Sequence, residues 1–375
     1  MKVEFYKHNI SVEDKEEVLR VLNSFFLTTG DWTKRFENKF ARYVGSNYAL
    51  GLTSCTNALE LALRCYGFGT GDEVITTPMS FIATANAVEY VGAKPVFVDV
   101  EETTGNIDAS RIESAITKHT KAILPVHLYG QLCDMRAIRL VADRYKLKII
   151  EDAAHCIEGI RDGVRVSELG DIACYSFYAT KNITSGEGGA VTTNDATVYN
   201  WLFQGRQHGL NKQAADRYTK RYEHYDMAFL GLKCNMSNIL AALLLNQIDH
   251  IEEFLAKKEA IAKRYDVALS ANPYIKIPAI LPNSKHARHL YTILVNADVR
   301  DYYLHAFQDA GIGVAVNFRP IHLMKYYREK YGYEHNSFPV AEKIGATTIS
   351  IPLYPSLTDE EINYVIKTIN DIVVR

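Results

Sequence analysis

Tyr48-Ala49-Leu50-Gly51-Leu52-Thr53-Ser54-Cys55-Thr56-Asn57-Ala58-Leu59 reads as a short apolar strand that passes through a hydroxyl-rich turn into a helix. The helical pattern runs over residues 56–66, and the same unit then recurs. Residues 73–77, 95–98, 122–126, 148–151, 172–177 and 190–193 are further predicted strands, and helices are expected between several of them, over 82–91 and 135–145. Parallel pairing needs a crossover, so strands interleaved with helices predict a doubly wound, mostly parallel α/β sheet with helices on both faces. Upstream, residues 11–26 are expected to form an amphipathic helix, capped by Ser11 and with Asp14 in its first turn. Val18, Leu19, Leu22, Phe25 and Phe26 fall on one face of it. Downstream, residues 236–254 form a long helical pattern, apolar nearly all round in its first half and so suited to a core or a subunit contact. Strand-like stretches at 289–295 and 313–317, then helices near 302–310 and 359–373, predict a smaller α+β domain. The expected division is a large domain over 1–249 and a small one over 250–375.

Composition bounds the function. The 375 residues suit two or three domains, taking roughly 100–200 residues for each. Lys and Arg number 42 against 44 Asp and Glu, a net charge of −2, which offers no broad basic face to displace the counterions of a nucleic acid. The longest wholly apolar run, Ile239 to Leu245, is far short of the ~20 residues of a membrane span. Met1-Lys2-Val3-Glu4 leads into a charged amphipathic stretch rather than a secretory signal, so a cytoplasmic location is expected. The six cysteines form no Cys-x-x-Cys pair and the 12 histidines no ligand cluster; reduced, mostly buried thiols and no metal are the expectation.

Open α/β sheets bind ligands beyond the carboxyl ends of their strands, and three of those ends carry unusual residues. Thr53-Ser54-Cys55-Thr56-Asn57 places small polar residues at a helix start, which suits either an ordinary cap or a phosphate held by the exposed N–H groups. Ile149-Ile150-Glu151-Asp152-Ala153-Ala154-His155 ends a central strand in two carboxylates. Burial there is costly unless a cation pairs with Asp152 or the carboxylate caps the next turn. Ser176-Phe177-Tyr178-Ala179-Thr180-Lys181-Asn182-Ile183-Thr184-Ser185-Gly186-Glu187-Gly188-Gly189 offers a lysine in an irregular glycine-rich loop, matching neither a dinucleotide fingerprint nor a P-loop. An anion cradle, a carboxylate for a ring nitrogen and a lysine at one sheet edge together suit pyridoxal 5′-phosphate (PLP).

The same blocks carry a family resemblance. Ser54-Cys55-Thr56-Asn57-Ala58-Leu59, Gly71-Asp72-Glu73-Val74-Ile75-Thr76, Glu151-Asp152-Ala153-Ala154-His155 and the Ser176–Gly189 stretch resemble the DegT/DnrJ/EryC1/StrS nucleotide-sugar aminotransferases, fold-type I PLP enzymes. The resemblance runs in order from about Phe25 to the C-terminus. Gly231-Leu232-Lys233-Cys234-Asn235-Met236 and Gly311-Ile312-Gly313…Phe318-Arg319…His322…Lys325-Tyr326-Tyr327-Arg328-Glu329 are most similar to the branch that makes UDP-4-amino-4-deoxy-L-arabinose.

The resemblance implies roles. Lys181 takes the Schiff-base position and carries the proton in the reaction. Asp152 pairs with the pyridine nitrogen, and His155 bonds the phenolic oxygen. Phe81 stacks on the ring with Ala154 on the other face; Ser176, Cys55, Thr56 and Asn57 form the phosphate site. Asn235 reaches the phosphate of a neighbouring subunit, implying a homodimer with two shared sites. Arg319, His322, Lys325 and Tyr326, with Arg206 and His208 from another loop, are candidates for the sugar-nucleotide pocket, where cations suit a diphosphate; His127 and Tyr129 are further candidates. The implied activity is transfer of an amino group from L-glutamate, released as 2-oxoglutarate, to C4 of a UDP-4-keto sugar. A dTDP-3-keto-6-deoxy sugar as acceptor and a non-catalytic PLP-binding regulator are the alternatives. A sugar dehydratase of the same family has histidine in place of the lysine that Lys181 matches, which weighs against that activity.

Overall fold

The computed structural model describes residues 1–211 and 224–374. Among these, seven strands form the main sheet: β1 (Tyr48–Leu52), β2 (Glu73–Thr76), β3 (Lys94–Phe97), β4 (Thr120–Leu124), β5 (Lys148–Asp152), β8 (Ile172–Ser176) and β9 (Gly189–Thr193). The short β6 (Ile160–Arg161) and β7 (Val164–Arg165) lie between β5 and β8 in the chain and pair with β10 (Ser284–Lys285) in a sheet of their own. All seven predicted strands are present, with ends displaced by two residues at most.

The strand order is β1-β9-β8-β5-β4-β2-β3. β3, β2, β4, β5 and β8 pair in parallel, while β9 runs antiparallel to both its neighbours. The reversal has a local cause: residues 177–188 between β8 and β9 contain no helix, so no crossover is available to return the chain in the parallel sense. Side chains alternate between two apolar layers. Ile75, Ile123 and Ile149 pack on one face with Phe36, Phe40 and Ile138, whereas Val74, Leu124, Ile150 and Cys174 pack on the other with Leu59, Leu63 and Leu202. Burial on both faces is what a helix-covered parallel sheet requires.

The expected helix at 236–254 is longer than its apolar half, spanning Asn238–Leu269. Ala241, Leu244, Ile248 and Ile251 join one layer of the large core. Ile261, Tyr265 and Leu269 join a separate core with Val3, Phe307, Val365 and the pair β11 (Tyr291–Leu294) and β12 (Thr348–Ile351). The expected boundary at 249/250 thus falls within this helix.

Two sequence expectations are corrected. The first helix, α1 (Val12–Leu22), has the predicted Ser11 cap and a full capping box with Asp14, yet it turns Asp14, Glu17 and Val21 inward. Leu19, Leu22 and Phe25 are exposed. Glu17 decides the face: it accepts from Trp32 Nε1 at 2.8 Å and Arg35 at 3.0 Å on α2 (Asp31–Val44), a polar docking that hydrophobic periodicity does not register. Residues 313–317 form no strand. Ala315 makes a single bridge to Ser350, while Gly313 donates to Val3 O at 2.8 Å, and a Cβ on Gly313 would lie 2.3 Å from Phe5 N. The amino-terminal segment occupies that edge.

Candidate active site

Glu151 and Asp152 are adjacent on a strand and so point to opposite faces. Glu151 turns into the protein, where its carboxylate meets His127 Nε2 at 2.7 Å and Ser167 N at 3.0 Å, all buried. His127 is thereby placed behind the sheet. Asp152 faces a cavity of about 510 Å³ at the carboxyl ends of the strands. Its Oδ2 accepts from Thr84 Oγ1 at 2.7 Å and its Oδ1 from Ala154 N at 3.1 Å. Burial pushes its carboxyl above the ordinary range, opposed by these hydrogen bonds and by the charge of Lys181. No cation lies within ion-pair distance of it among the described residues, so a buried carboxylate presents itself to the cavity with neutral donors only.

The candidate cradle for an anion is the start of α3 (Cys55–Cys65). Ser54 caps it, accepting from Asn57 N at 3.1 Å. Asn57 Oδ1 accepts from Thr53 Oγ1 and Ser54 Oγ, so this side chain is spent on the cap while Ser54, Cys55 and Thr56 line the cavity. The first-turn N–H groups and the positive end of the helix dipole lie at that wall. Gly189 makes the turn possible, since a Cβ there would sit 2.4 Å from Ser54 C and 2.6 Å from Cys55 N. Gly189→Ala is therefore expected to displace the 54–55 turn and weaken phosphate and PLP binding by roughly 10-fold or more, the scale of one or two lost charge-assisted hydrogen bonds. Equilibrium dialysis of wild type against variant measures this, and equal affinity would show that the turn tolerates the extra carbon.

Lys181 rises from the loop between β8 and β9. Gln247 on the long helix holds this loop as a strand partner would, accepting from Thr184 N at 2.9 Å and donating to Thr184 O at 2.8 Å. Asn182 anchors the next position by donating to the buried Glu158 carboxylate and to Ala287 O at 2.8 Å. The Lys181 amine is half-buried, and desolvation lowers its pKa to about 8, against the opposing pull of Cys55 and Asp152. Such an amine is a nucleophile and a base near neutral pH. Its Nζ lies 3.5 Å from Nε2 of His289.

His155 Nδ1 accepts from Tyr129 N at 3.3 Å, which leaves the proton of the neutral ring on Nε2 as a donor. Burial keeps this ring neutral, its pKa well below the ordinary histidine value. Ser176 is buried at the end of β8 and lines the cavity together with Phe81 and Ala154.

Cys55, Thr56, Phe81, Asp152, Ala154, His155, Ser176 and Lys181 thus share one cavity wall. The remaining sequence candidates do not line it in this chain. Arg206 is buried and pairs with Glu37 while donating to Gly51 O at 3.0 Å; His322 is buried against Glu342 at 3.0 Å. Arg319, Lys325, Tyr326 and His208 are exposed. Asn235 bonds Thr29 and Lys233 beside the end of β1. Tyr129 donates its hydroxyl to Asn317 O. Conversely, Phe5, Thr84, His289 and Asn317 line the cavity without a sequence signal that marks them, and Phe318, which the resemblance carries without a role, lines it too. His-Ala-Arg-His at 286–289 was the one local signal, and nothing in its spacing ties it to Lys181.

The family profile of the DegT/DnrJ/EryC1/StrS aminotransferases matches residues 8–370. The chain is 40% identical over 370 residues to the spore coat polysaccharide biosynthesis protein SpsC of Bacillus subtilis, covering 97% of this chain and 95% of that one. Among solved structures, the PLP form of Spr1654 from Streptococcus pneumoniae superposes with a TM-score of 0.92 at 30% identity, over 100% of both chains. PseC of Helicobacter pylori, an aminotransferase involved in the biosynthesis of pseudoaminic acid, gives 0.93 at 28% identity, over 100% of this chain and 99% of that one. Matched over nearly its whole length, the chain belongs to the DegT/DnrJ/EryC1/StrS family, as a PLP-dependent sugar aminotransferase.

Proposed function

We propose that this chain holds PLP in the cavity described above and transfers an amino group from L-glutamate to a nucleotide-linked keto sugar, at C4 of a UDP-4-keto sugar. The observation that carries the reading is one cavity that holds both a depressed lysine amine and a buried carboxylate without an ion-pair partner among the described residues. The residues fit the cofactor at each end. Asp152 offers negative charge to a ring nitrogen, the Nε2–H of His155 offers a donor to an oxygen, and Ser54, Cys55, Thr56 and Ser176 offer donors to a phosphate. When bound, PLP supplies an aldehyde that condenses with amines and a ring that draws electrons from the bonds around the amine-bearing carbon.

The chain's own residues do the rest. Asp152 keeps the ring nitrogen protonated, with Thr84 and Ala154 fixing the direction of its carboxylate. Lys181, neutral above about pH 8, takes a proton from carbon and returns one to carbon. Phe81 and Ala154 give the ring an apolar seat. The C-terminal Arg319, His322, Lys325 and Tyr326, with Arg206 and His208, remain our candidates for nucleotide contacts. Leu19, Leu22 and Phe25, exposed in one chain, support a homodimer in which Asn235 serves the neighbouring site. We read the chain as a large domain over 1–249 and a small domain over 250–375, working in the cytoplasm.

The test is direct. Purified protein with PLP and L-glutamate should release 2-oxoglutarate, and a screen of UDP-, dTDP- and GDP-linked keto sugars should then return an amino sugar with the UDP-4-keto compounds. Turnover on a dTDP-3-keto sugar alone would overturn the acceptor assignment. Absence of 2-oxoglutarate with any amino donor would overturn transamination and leave a PLP-binding regulator.

A further inference from the structure

His289 enters the cavity from the small-domain side and meets Lys181 at 3.5 Å, Nε2 to Nζ. Its position is fixed by backbone contacts. His289 N donates to Tyr129 O at 3.1 Å, and Ala287 N to Gly130 O at 2.7 Å; a Cβ on Gly130 would lie only 3.0 Å from Arg288 N. One face of its ring lies against His155, with centroids 4.3 Å apart. Its other nitrogen, Nδ1, is buried and has no hydrogen-bond partner among the described residues.

That orphan nitrogen sets the tautomer. A buried N–H without an acceptor is a rarer and costlier defect than a bare ring nitrogen, so the proton of the neutral ring belongs on Nε2. The group facing Lys181 is then a donor, and only an amine with a free lone pair can accept from it. An ammonium has none.

We propose that His289 is a positioning residue for Lys181, its Nε2–H donating to the lone pair of the neutral amine and thereby holding that amine, unprotonated, toward the cavity. The inference deepens the proposed function, on whose reading of Lys181 it rests. The groups that bear on the pair are Asp152 and the Cys55 thiol beside Lys181, His155 against the imidazole ring, and Lys258 and His286 on the far side. Burial, and after it the charges of Lys181 and Lys258, hold His289 neutral, well below the ordinary histidine pKa, so it does not compete with Lys181 for charge.

The test needs neither substrate nor cofactor. Acetic anhydride labelling of the full chain from about pH 6 to about pH 10, read by mass on the Lys181 peptide, follows protonation of this one amine. His289→Leu removes the donor, and the labelling midpoint is expected to rise by ~0.5–1 pH unit, the worth of one hydrogen bond. His289→Gln keeps an N–H in reach and should stay near the wild-type midpoint. In the PLP-loaded enzyme, His289→Leu should lower kcat roughly 10-fold with KM for the amino donor unchanged, and His289→Gln should recover most of it. An unmoved or lowered midpoint in His289→Leu, or a glutamine variant as impaired as leucine, would overturn the proposal. His289→Met provides a second donor-free side chain if the leucine variant is insoluble. Because labelling involves no turnover, a chain that never transaminates would refute the proposed function while leaving this measurement decisive for His289.

Discussion

Lys181→Ala is expected to abolish amino transfer, lowering 2-oxoglutarate release by at least roughly 10³-fold, because the proposed function makes this side chain both the covalent attachment point and the proton carrier. The loop should survive the change. Gln247 holds Thr184, Asn182 is tied to Glu158 and Ala287, and none of these bonds uses the lysine side chain. Circular dichroism and thermal melting should therefore match wild type, while borohydride reduction should fix PLP to the Lys181 peptide only in wild type. The pH dependence adds a second check. The amine is protonated below about 8 and neutral above it, so covalent uptake of PLP by the wild-type chain should speed up as pH rises through that value. This limb should vanish in the alanine variant. Turnover near wild type in Lys181→Ala would remove the lysine from the mechanism.

Asp152→Asn should fold and lose roughly 10²–10³-fold in kcat, the scale of one misplaced electrostatic partner in an active site. The geometry explains why the fold tolerates the change. An asparagine oxygen can keep the 3.1 Å bond from Ala154 N, and its amide nitrogen then faces Thr84 Oγ1. That hydroxyl can accept, because it also sits 2.8 Å from Ser80 Oγ, where either oxygen can donate. Burial already disfavours the charged carboxylate, so loss of charge should leave the melting temperature equal to or above that of wild type. What the amide lacks is the negative charge that keeps a ring nitrogen protonated. A stable variant with undiminished kcat would mean that the nitrogen finds its partner elsewhere.

The two largest expected effects fall on residues that are legible in the sequence alone. Asp152 ends β5 and Lys181 stands in the loop that follows β8, and strand ends on one edge of a wound sheet are brought together by topology. Thr56, Cys55 and Ser176 are legible for the same reason. Phe81 carries no local signal, since a phenylalanine is ordinarily core; only the family resemblance reaches it. His289 is reached by neither route. It lies 108 residues beyond Lys181, in the short irregular stretch between β10 and β11. Its approach depends on Gly130 yielding its Cβ space to Ala287 and Arg288, a contact between two irregular segments that leaves no periodic trace.

Residue order alone was enough to read the strands, the helices between them, the sheet edge at which the cavity opens, and the lysine and carboxylate there. All of these follow from short-range patterns of period 2 and 3.6 and from the rule that parallel strands share an end. Which face α1 buries, where the two carboxylates at 151 and 152 point, and the pairing of Arg206 and His322 inside the protein emerge from long-range packing alone. So does the place of His289 beside Lys181. These outcomes turn on partners distant in sequence, such as Trp32 and Arg35 for Glu17, or Glu37 for Arg206, and a buried polar group goes where its partner is, whatever the periodicity around it.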